Sequence, residues 1–216
     1  MFILSGCGED AKVVPKTDNS SLPKKIVKNP RDKILVVYFS VPETTNPKNM
    51  NIDEENSTVV IEGKVFGNTQ YLAQVIQKHS GADIFRIEPE TPYPMNHAEL
   101  EQIATKEKQT YARPAIAEKV RKFNDYKIFF VGYPNWYGDM PNILYTFFEE
   151  YNFSGKIIIP FVTSGSKGFS NTISQIKELQ PNANVIENGL SVSRNDVHNS
   201  EKYVQNWLKD LGLMKD

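Results

Sequence analysis

The sequence contains a single cysteine, Cys7, so no disulfide can form within the chain. No segment approaches the roughly 18 consecutive apolar residues that a membrane-spanning helix needs. The three histidines, at positions 79, 97 and 198, are scattered too widely for metal-ligand spacing. A net charge of −1 gives no electrostatic footprint for nucleic acid. We therefore expect no disulfide scaffold, membrane-spanning helix, metal site or nucleic-acid partner.

The chain also lacks three motifs that identify common nucleotide-binding and hydrolytic sites. No Gly-x-x-x-x-Gly-Lys-[Ser/Thr] segment is present, which argues against a P-loop ATPase. No Gly-x-Gly-x-x-Gly segment follows the first predicted strand, which argues against a dinucleotide site of the Rossmann type. A Gly-x-Ser-x-Gly nucleophile elbow is missing too. The chemistry of the chain therefore depends on a different kind of site.

Apolar runs alternate with helical patterns along most of the 216 residues, a length that suits one domain with a tail. Apolar patterns predict strands at 33–40, 82–88, 126–133, 156–163 and 185–192, with a short hairpin over 58–66. Helical spacing predicts helices around 72–79, 97–111, 114–123, 142–151, 169–179 and 196–211. Such alternation predicts a parallel sheet with helices on both faces. We assign residues 33–214 to this α/β domain, with an insert at 41–66, and residues 1–32 to a flexible tail.

The first polar turn combines Ser40, at the end of the first strand, with Gly67, Asn68 and Thr69, which open the following helix. Unpaired N–H groups and partial positive charge at a helix N-terminus bind phosphate. Serine and threonine hydroxyls add donors without adding charge, and glycine allows close approach of the backbone. The same residues also suit a simple helix cap, so a phosphate site and a cap both remain open.

Two further loops leave the same edge of the predicted sheet. Residues 132–141 contain two prolines, two glycines and three aromatics, and residues 163–168 are rich in glycine and hydroxyl groups. Because ligands of open α/β sheets bind beyond the carboxyl ends of the strands, the three loops would suit a flat aromatic cofactor with one terminal phosphate. The alternative is that Trp136 and Tyr137 form an aromatic corner that packs on the neighbouring helix.

Jointly, these motifs resemble those of the flavodoxin family over roughly residues 33–212. Ser40 and the run 67–69 resemble the family's Ser-x-Thr-Gly-Asn-Thr phosphate loop, here split by the insert. The loops at 132–138 and 163–168 resemble those on the two sides of the isoalloxazine ring. The resemblance implies a three-layer sandwich whose five-stranded parallel sheet has the order 2-1-3-4-5, with a small hairpin insert after the first strand. It also implies FMN, held without a covalent bond.

The same resemblance implies a set of FMN-binding residues and no catalytic residue. The phosphate group would contact Ser40, Gly67, Asn68 and Thr69, with Thr44 or Thr45 in place of the family's first loop threonine. The contacts with the rest of FMN would come from Pro134, Asn135, Trp136, Tyr137, Gly138, Thr163, Ser164, Gly165 and Gly168. This site requires the insert to fold aside so that residues 40 and 67 meet, which a hairpin over 58–66 would achieve.

Three functions remain open on this basis. The first, which we favour, is an electron-transfer protein that shuttles electrons between a reductase and an acceptor. The second is an FMN-dependent NAD(P)H:quinone-type oxidoreductase with a small quinone-like substrate, whose pocket would draw on Tyr93, Asn96, His97 and Arg194. The third is a flavin-free binding domain on the same fold.

The tail carries a motif of its own at residues 4–7, Leu-Ser-Gly-Cys. It resembles a bacterial lipobox, in which a lipid is attached to the cysteine, although the apolar stretch before it is shorter than the roughly 7–15 residues of a signal-peptide core. The polar residues from 8 to 30 suit a flexible tether. We expect a bacterial protein that is anchored at the cell surface or periplasmic membrane if Cys7 is lipidated. If Cys7 is an incidental residue of a disordered tail, we expect a cytoplasmic protein.

Overall fold

The computed structural model describes residues 25–29 and 31–215. Cys7 and the lipobox-like residues 4–7 lie outside this part of the chain. Just ahead of the first strand, Ile26 is buried and its N–H donates to the carbonyl oxygen of Leu211 at 3.0 Å. The packed part of the chain therefore includes residues upstream of Lys33. Within the described residues, no helix is long and apolar enough to cross a membrane.

The strands of the described residues form one parallel sheet and a separate hairpin. They are Lys33–Tyr38 (β1), Thr58–Ile61 (β2), Lys64–Gly67 (β3), Asp83–Arg86 (β4), Tyr126–Pro134 (β5), Ile157–Ser164 (β6), Asn184–Val185 (β7) and Leu190–Ser193 (β8). The sheet runs β4-β1-β5-β6, and β7 and β8 pair one after the other with the outer edge of β6. Because β7 and β8 occupy one position in the sheet, the predicted order 2-1-3-4-5 is confirmed.

Helices cover both faces of the sheet. They are Ile52–Ser57 (α1), Asn68–Ser80 (α2), His97–Thr110 (α3), Asn142–Glu150 (α4), Thr172–Leu179 (α5) and Glu201–Leu211 (α6), with short 3-10 helices at Phe123–Asp125 and Arg194–Asn199. Leu72 of α2 and Leu208 of α6 share a buried cluster with Val36 of β1. The next residue, Val37, belongs to a second cluster, which contains Phe147 of α4. Successive side chains of a strand point to opposite faces, so a strand buried on both sides reads as one continuous apolar run.

Gly132, near the end of β5, is required by the packing of the sheet. A Cβ atom at this position would lie 2.0 Å from the Cζ atom of Phe161, which is fully buried on the neighbouring strand β6. The aromatic ring thus occupies the space that any other side chain would need. This close approach fixes the strand that leads directly into the aromatic loop.

The insert folds aside in the way that the sequence predicts. Strands β2 and β3 form an antiparallel hairpin, and its register pairs Thr58 with Gly67. The insert also contains α1, which the sequence analysis did not predict. Asn51 caps this helix by accepting hydrogen bonds from the N–H groups of Asp53 and Glu54, and the carboxylate of Glu54 accepts from the N–H of Asn51. That capping box stabilises a helix of only six residues.

The predicted helix at 114–123 is wrong. Residues 115–117 instead run antiparallel to residues 88–90, where Ala117 donates to the carbonyl of Glu88 and Glu90 donates to that of Ala115. The side chains of Ile116 and Val120 are buried, as the apolar spacing indicated, but the backbone finds its partners in another segment. Local periodicity does not reveal such a distant hydrogen-bond partner.

Candidate functional site

A cavity of about 260 Å³, the main cavity, lies beyond the carboxyl ends of β1, β5 and β6. Among the predicted site residues, those that line it are Ser40, Asn68, Thr69, Pro134, Asn135, Trp136, Thr163, Ser164 and Gly165. Lining residues that the sequence analysis did not assign to the FMN site include Glu43, Asp53, Asn56, Ser57, His97, Leu100 and Arg194. The three predicted loops therefore converge on one cavity, and the insert supplies part of its wall.

At one end of the main cavity, Ser40 meets the start of α2. A Cβ atom added to Gly67 would lie 2.2 Å from the Oγ atom of Ser40, so the two residues approach as closely as glycine permits. Gly67 is the N-cap residue of α2 and has no side chain to cap the helix, while its own N–H donates to the amide oxygen of Gln70 at 3.1 Å. The first turn also contains no acidic residue. This end of the cavity thus combines a serine hydroxyl with the positive end of a helix dipole.

Two threonine hydroxyls form a hydrogen-bonded pair beside this helix terminus. The Oγ1 atoms of Thr69 and Thr163 are 2.7 Å apart, and both residues are buried. A pair of hydroxyls contains two protons, and the bond between them uses only one. The second proton remains available for a ligand in the cavity.

Asn68 contributes a buried atom that has no partner. Its Nδ2 group donates to the carbonyl oxygen of Asn56 in α1 at 2.9 Å, which ties the insert to the start of α2. Its Oδ1 atom is buried and accepts no hydrogen bond among the described residues. Since buried polar atoms are almost always paired, this oxygen is an acceptor that suits a hydroxyl donor from a ligand.

The two loops at the other end of the main cavity are joined by Asn135. Its N–H donates to the carbonyl of Thr163, and its Nδ2 group donates to the carbonyl of Gly168 at 2.7 Å. Its Oδ1 atom accepts from the N–H of Gly138 at 2.9 Å. Asn135 thus fixes the position of each loop relative to the other.

Trp136 both lines the main cavity and packs against aromatic neighbours. Its ring meets Phe39 edge-to-face at 5.5 Å between centroids and Tyr93 at 5.7 Å. Tyr137 turns outward: half of its surface is exposed, and its hydroxyl donates to Glu101. Of the two aromatic residues, therefore, only Trp136 faces the cavity.

Other predicted site residues do not line the main cavity. Thr44 is buried in the insert, where its hydroxyl accepts from the N–H of Asn46. Gly67 shapes the cavity through Ser40, and Gly138 and Gly168 adopt positive φ angles of 80° and 51° in the two loops. These glycines support the loops, because other residues rarely adopt such angles.

A carboxylate–imidazole pair on the cavity wall was not predicted as part of the FMN site. Oε2 of Glu43, in the insert, and Nδ1 of His97 are hydrogen-bonded at 2.8 Å. Oδ1 of Asp53 lies 3.9 Å from Nε2 of the same ring. Burial raises the pKa of Glu43 above its usual value, while the hydrogen bond and charge of His97 act in the opposite direction. His97 begins α3, so this pair links that helix to the insert.

Arg194 is the single Lys or Arg side chain among the described residues that line the main cavity. It begins the 3-10 helix after β8 and lies against Gly165, whose added Cβ atom would be 3.4 Å from the guanidinium carbon. Arg194 was named in the sequence analysis only as a possible pocket residue for an oxidoreductase. No local motif marks it, because its position depends on the pairing of β8 with β6.

Comparison with known proteins gives a family match and several structural matches. A family model described as "Flavodoxin" matches residues 57–211. A candidate flavoprotein from Bacteroides eggerthii is 26% identical, with a TM-score of 0.59, over 83% of this chain and 98% of that one. A candidate flavoprotein from Bacteroides uniformis is 24% identical, with a TM-score of 0.61, over 82% and 98%.

A flavoprotein from Lactobacillus acidophilus, solved in complex with FMN, shares the fold at a TM-score of 0.53. It is 18% identical, and the match covers 78% of this chain and 97% of that one. Among curated proteins, none matches the sequence.

Proposed function

Because the chain belongs to the flavodoxin family, we propose that it binds FMN in the main cavity and transfers electrons between redox partners. The observation that carries this proposal is the convergence of Ser40, the start of α2 and the two ring-side loops on one cavity. Ligands of open α/β sheets bind in this position, beyond the carboxyl ends of the strands at the switch point of the sheet.

The donors at the α2 end of the cavity fit a phosphate group. The first-turn N–H groups of α2, the hydroxyl of Ser40 and the free proton of the Thr69–Thr163 pair are all neutral donors. Neutral donors aimed at an anion form charge-assisted hydrogen bonds, which are stronger than ordinary ones. The helix dipole adds favourable electrostatics at the same point.

The rest of the cavity fits the ribityl chain and the ring. The unpaired Oδ1 atom of Asn68 suits a ribityl hydroxyl, which can donate a hydrogen bond. The apolar face of Trp136 and the loops joined by Asn135 suit a flat aromatic ring. When bound, FMN itself supplies the redox chemistry. The residues of the chain hold the cofactor, shield it from water and set the polarity around it.

A second candidate function is favoured by the pair of Glu43 and His97. A one-electron carrier needs no proton donor in its cofactor cavity, whereas an NAD(P)H:quinone-type oxidoreductase hands both electrons and protons to its substrate. The ring of His97 is about half exposed at the cavity wall and is hydrogen-bonded to the buried side chain of Glu43, so it is positioned to act on a substrate in this cavity. Reduction of the bound flavin by NADPH alone, fast and stoichiometric, would favour this function over the carrier.

The decisive experiment is FMN binding by matched threonine variants. Thr69→Val removes a cavity hydroxyl, whereas Thr146→Val removes the hydroxyl of another buried threonine, which donates to the carbonyl of Pro114 outside the main cavity. We expect FMN to bind Thr69→Val about tenfold to a hundredfold more weakly, as the loss of a hydrogen bond to a charged group predicts. Thr146→Val should keep the parent affinity. The measurement is quenching of FMN fluorescence during titration, together with the visible spectrum after desalting.

A protein that retains no flavin band after addition of FMN and desalting would instead be a flavin-free binding domain. Equal affinities for the two variants would place the phosphate group elsewhere.

We further propose that the protein is bacterial and exchanges electrons with a reductase and an acceptor protein. In that setting, Cys7 would provide a lipid anchor to the membrane.

A further inference from the structure

A second cavity, also of about 260 Å³, lies beside the main cavity. It opens beyond the carboxyl ends of β1 and β4, and it shares only Ser40 and Val41 with the lining of the main cavity. Its other lining residues include Phe39, Arg86, Ile87, Glu88 and Tyr93. The FMN proposal makes no use of this second cavity.

The walls of the second cavity are mostly apolar and rigid. Phe39 and Ile87 are almost fully buried, and Pro89 and Pro92 restrict the backbone of the segment that closes it. Met95 forms part of the rim and is 54% exposed. A preformed apolar cavity with few polar groups is the usual form of a small-molecule site.

Arg86 provides the one cationic group among the lining residues. Among the described residues, the guanidinium of Arg86 makes one hydrogen bond, in which Nη2 donates to the carbonyl oxygen of Ser40 at 3.1 Å. Its Nε atom is buried without a hydrogen bond. The carboxylate of Glu88 lies 3.4 Å from Nε, which is an ion-pair contact without hydrogen-bond geometry, and that side chain is 62% exposed. A guanidinium has five N–H donors, so most of its hydrogen-bonding capacity remains unused.

We propose that the second cavity binds a small apolar carboxylate, whose carboxylate group pairs with Arg86 and whose hydrocarbon part fills the apolar walls. The planar guanidinium fork matches a carboxylate geometrically. A group of higher negative charge would be poorly compensated, because the second cavity offers one cation and Glu88 lies next to it. This proposal does not depend on whether FMN occupies the main cavity.

The wall between the two cavities provides a direct readout. Phe39 and Tyr93 line the second cavity, and each meets Trp136 edge-to-face, at 5.5 Å and 5.7 Å. A ligand that shifts either ring therefore changes the surroundings of the Trp136 indole. The chain has two tryptophans, and the other one, Trp207, packs against Phe130 in the core of the opposite face. In a Trp207→Phe background, tryptophan fluorescence reports on Trp136 alone.

The test is a titration of flavin-free protein in that background with cyclohexanecarboxylate, and with cyclohexanecarboxamide as the neutral probe of the same shape. We expect a saturable fluorescence change with the carboxylate and affinity at least tenfold weaker for the amide. Arg86→Gln should weaken binding of the carboxylate about tenfold to a hundredfold, as loss of a charge-assisted pair predicts. Arg121→Gln, an exposed arginine outside both cavities, should leave the affinity unchanged.

A second variant protects the test against misfolding of Arg86→Gln. Met95→Glu places a carboxylate at the exposed rim, where substitutions rarely affect folding. We expect it to weaken binding of the carboxylate while the far-UV circular dichroism spectrum stays unchanged. The proposal is overturned if the carboxylate does not bind saturably, or if it binds Arg86→Gln and Met95→Glu as tightly as the parent. It is also overturned if FMN displaces the carboxylate competitively, since that outcome would place it in the main cavity.

Discussion

Replacing Gly67 by alanine tests the contact on which the proposed phosphate site depends. The added Cβ atom would lie 2.2 Å from the Oγ atom of Ser40, with the Cβ atom of Ser40 at 3.3 Å and the Cδ atom of Pro42 at 3.5 Å. Only the hydroxyl contact is impossible, because the contact at 3.3 Å is tight but tolerable and the contact at 3.5 Å is ordinary van der Waals contact. Either the serine hydroxyl rotates away, or the start of α2 moves away from the end of β1.

Both responses have measurable consequences. Rotation of the hydroxyl of Ser40 removes one donor to the phosphate, which corresponds to about 1.5–3 kcal/mol, or FMN affinity roughly ten to a hundred times weaker. Displacement of α2 costs about 1–3 kcal/mol of stability, as overpacked substitutions do. For a chain of this length that cost lowers Tm by roughly 2–12 °C. We expect weaker FMN binding from Gly67→Ala in either case.

A double-mutant cycle with Ser40→Ala separates the contact from other effects. Removing the hydroxyl also removes the clash, so Gly67→Ala should cost little further stability or affinity once residue 40 is alanine. Ser80→Ala, at the far end of α2, is the control for loss of a buried serine hydroxyl. The measurements are thermal melts and FMN titrations on the four proteins. If Gly67→Ala costs the same in both backgrounds, or nothing in either, the reasoning is refuted.

Two further predictions concern pH and packing. Burial raises the pKa of Glu43, so the folded protein binds the proton of this carboxyl group more tightly than the unfolded chain does. The stability that this difference contributes is lost as the pH rises from below the usual value of 4.5 through the raised pKa. Chemical denaturation should therefore show Glu43→Gln gaining stability relative to the parent as the pH rises from below 4.5 through the raised pKa, and a constant difference would contradict this. Gly132→Ala should lower the free energy of unfolding by at least about 1–3 kcal/mol, since its Cβ atom would lie 2.0 Å from Phe161. Phe161→Leu should reduce that loss in thermal melts, and an undiminished loss would mean that the aromatic ring is not the obstacle.

The central strands could be predicted because each is buried on both faces, whereas the order of the sheet followed from the resemblance to the flavodoxin family. The strand that contains Val36 and Val37 contributes consecutive residues to opposite cores, which appears in the sequence as an unbroken apolar run. Helix α2 could be predicted from its apolar spacing and the glycine that ends it, Gly81, whose φ of 69° forms a left-handed cap. In these elements local pattern and tertiary packing agree, so the sequence alone was informative.

The parts of the site that the sequence analysis did not predict depend on contacts between residues that are far apart in the sequence. Glu43 and His97 are far apart in sequence, and neither belongs to a motif, yet their side chains meet on the wall of the main cavity. Arg194 reaches Gly165 only because β8 pairs with β6. Thr44 was placed at the phosphate by analogy, whereas its hydroxyl closes a local turn with Asn46. The composition of the chain and the spacing of its residues contain no information about such long-range side-chain contacts.

The insert at 41–66 does more than separate the two halves of the motif that resembles the family's phosphate loop. Both of its ends are fastened at the same place: the N–H of Glu43 donates to the hydroxyl of Ser57, and Nδ2 of Asn68 donates to the carbonyl of Asn56. The hairpin register that pairs Thr58 with the start of α2 completes this closure. Because these bonds hold α1 beside the start of α2, the insert forms a wall where the cavity would otherwise be open. The split therefore leaves the proposed phosphate site intact and adds the side chains of Glu43, Asp53, Asn56 and Ser57 to the wall of the main cavity.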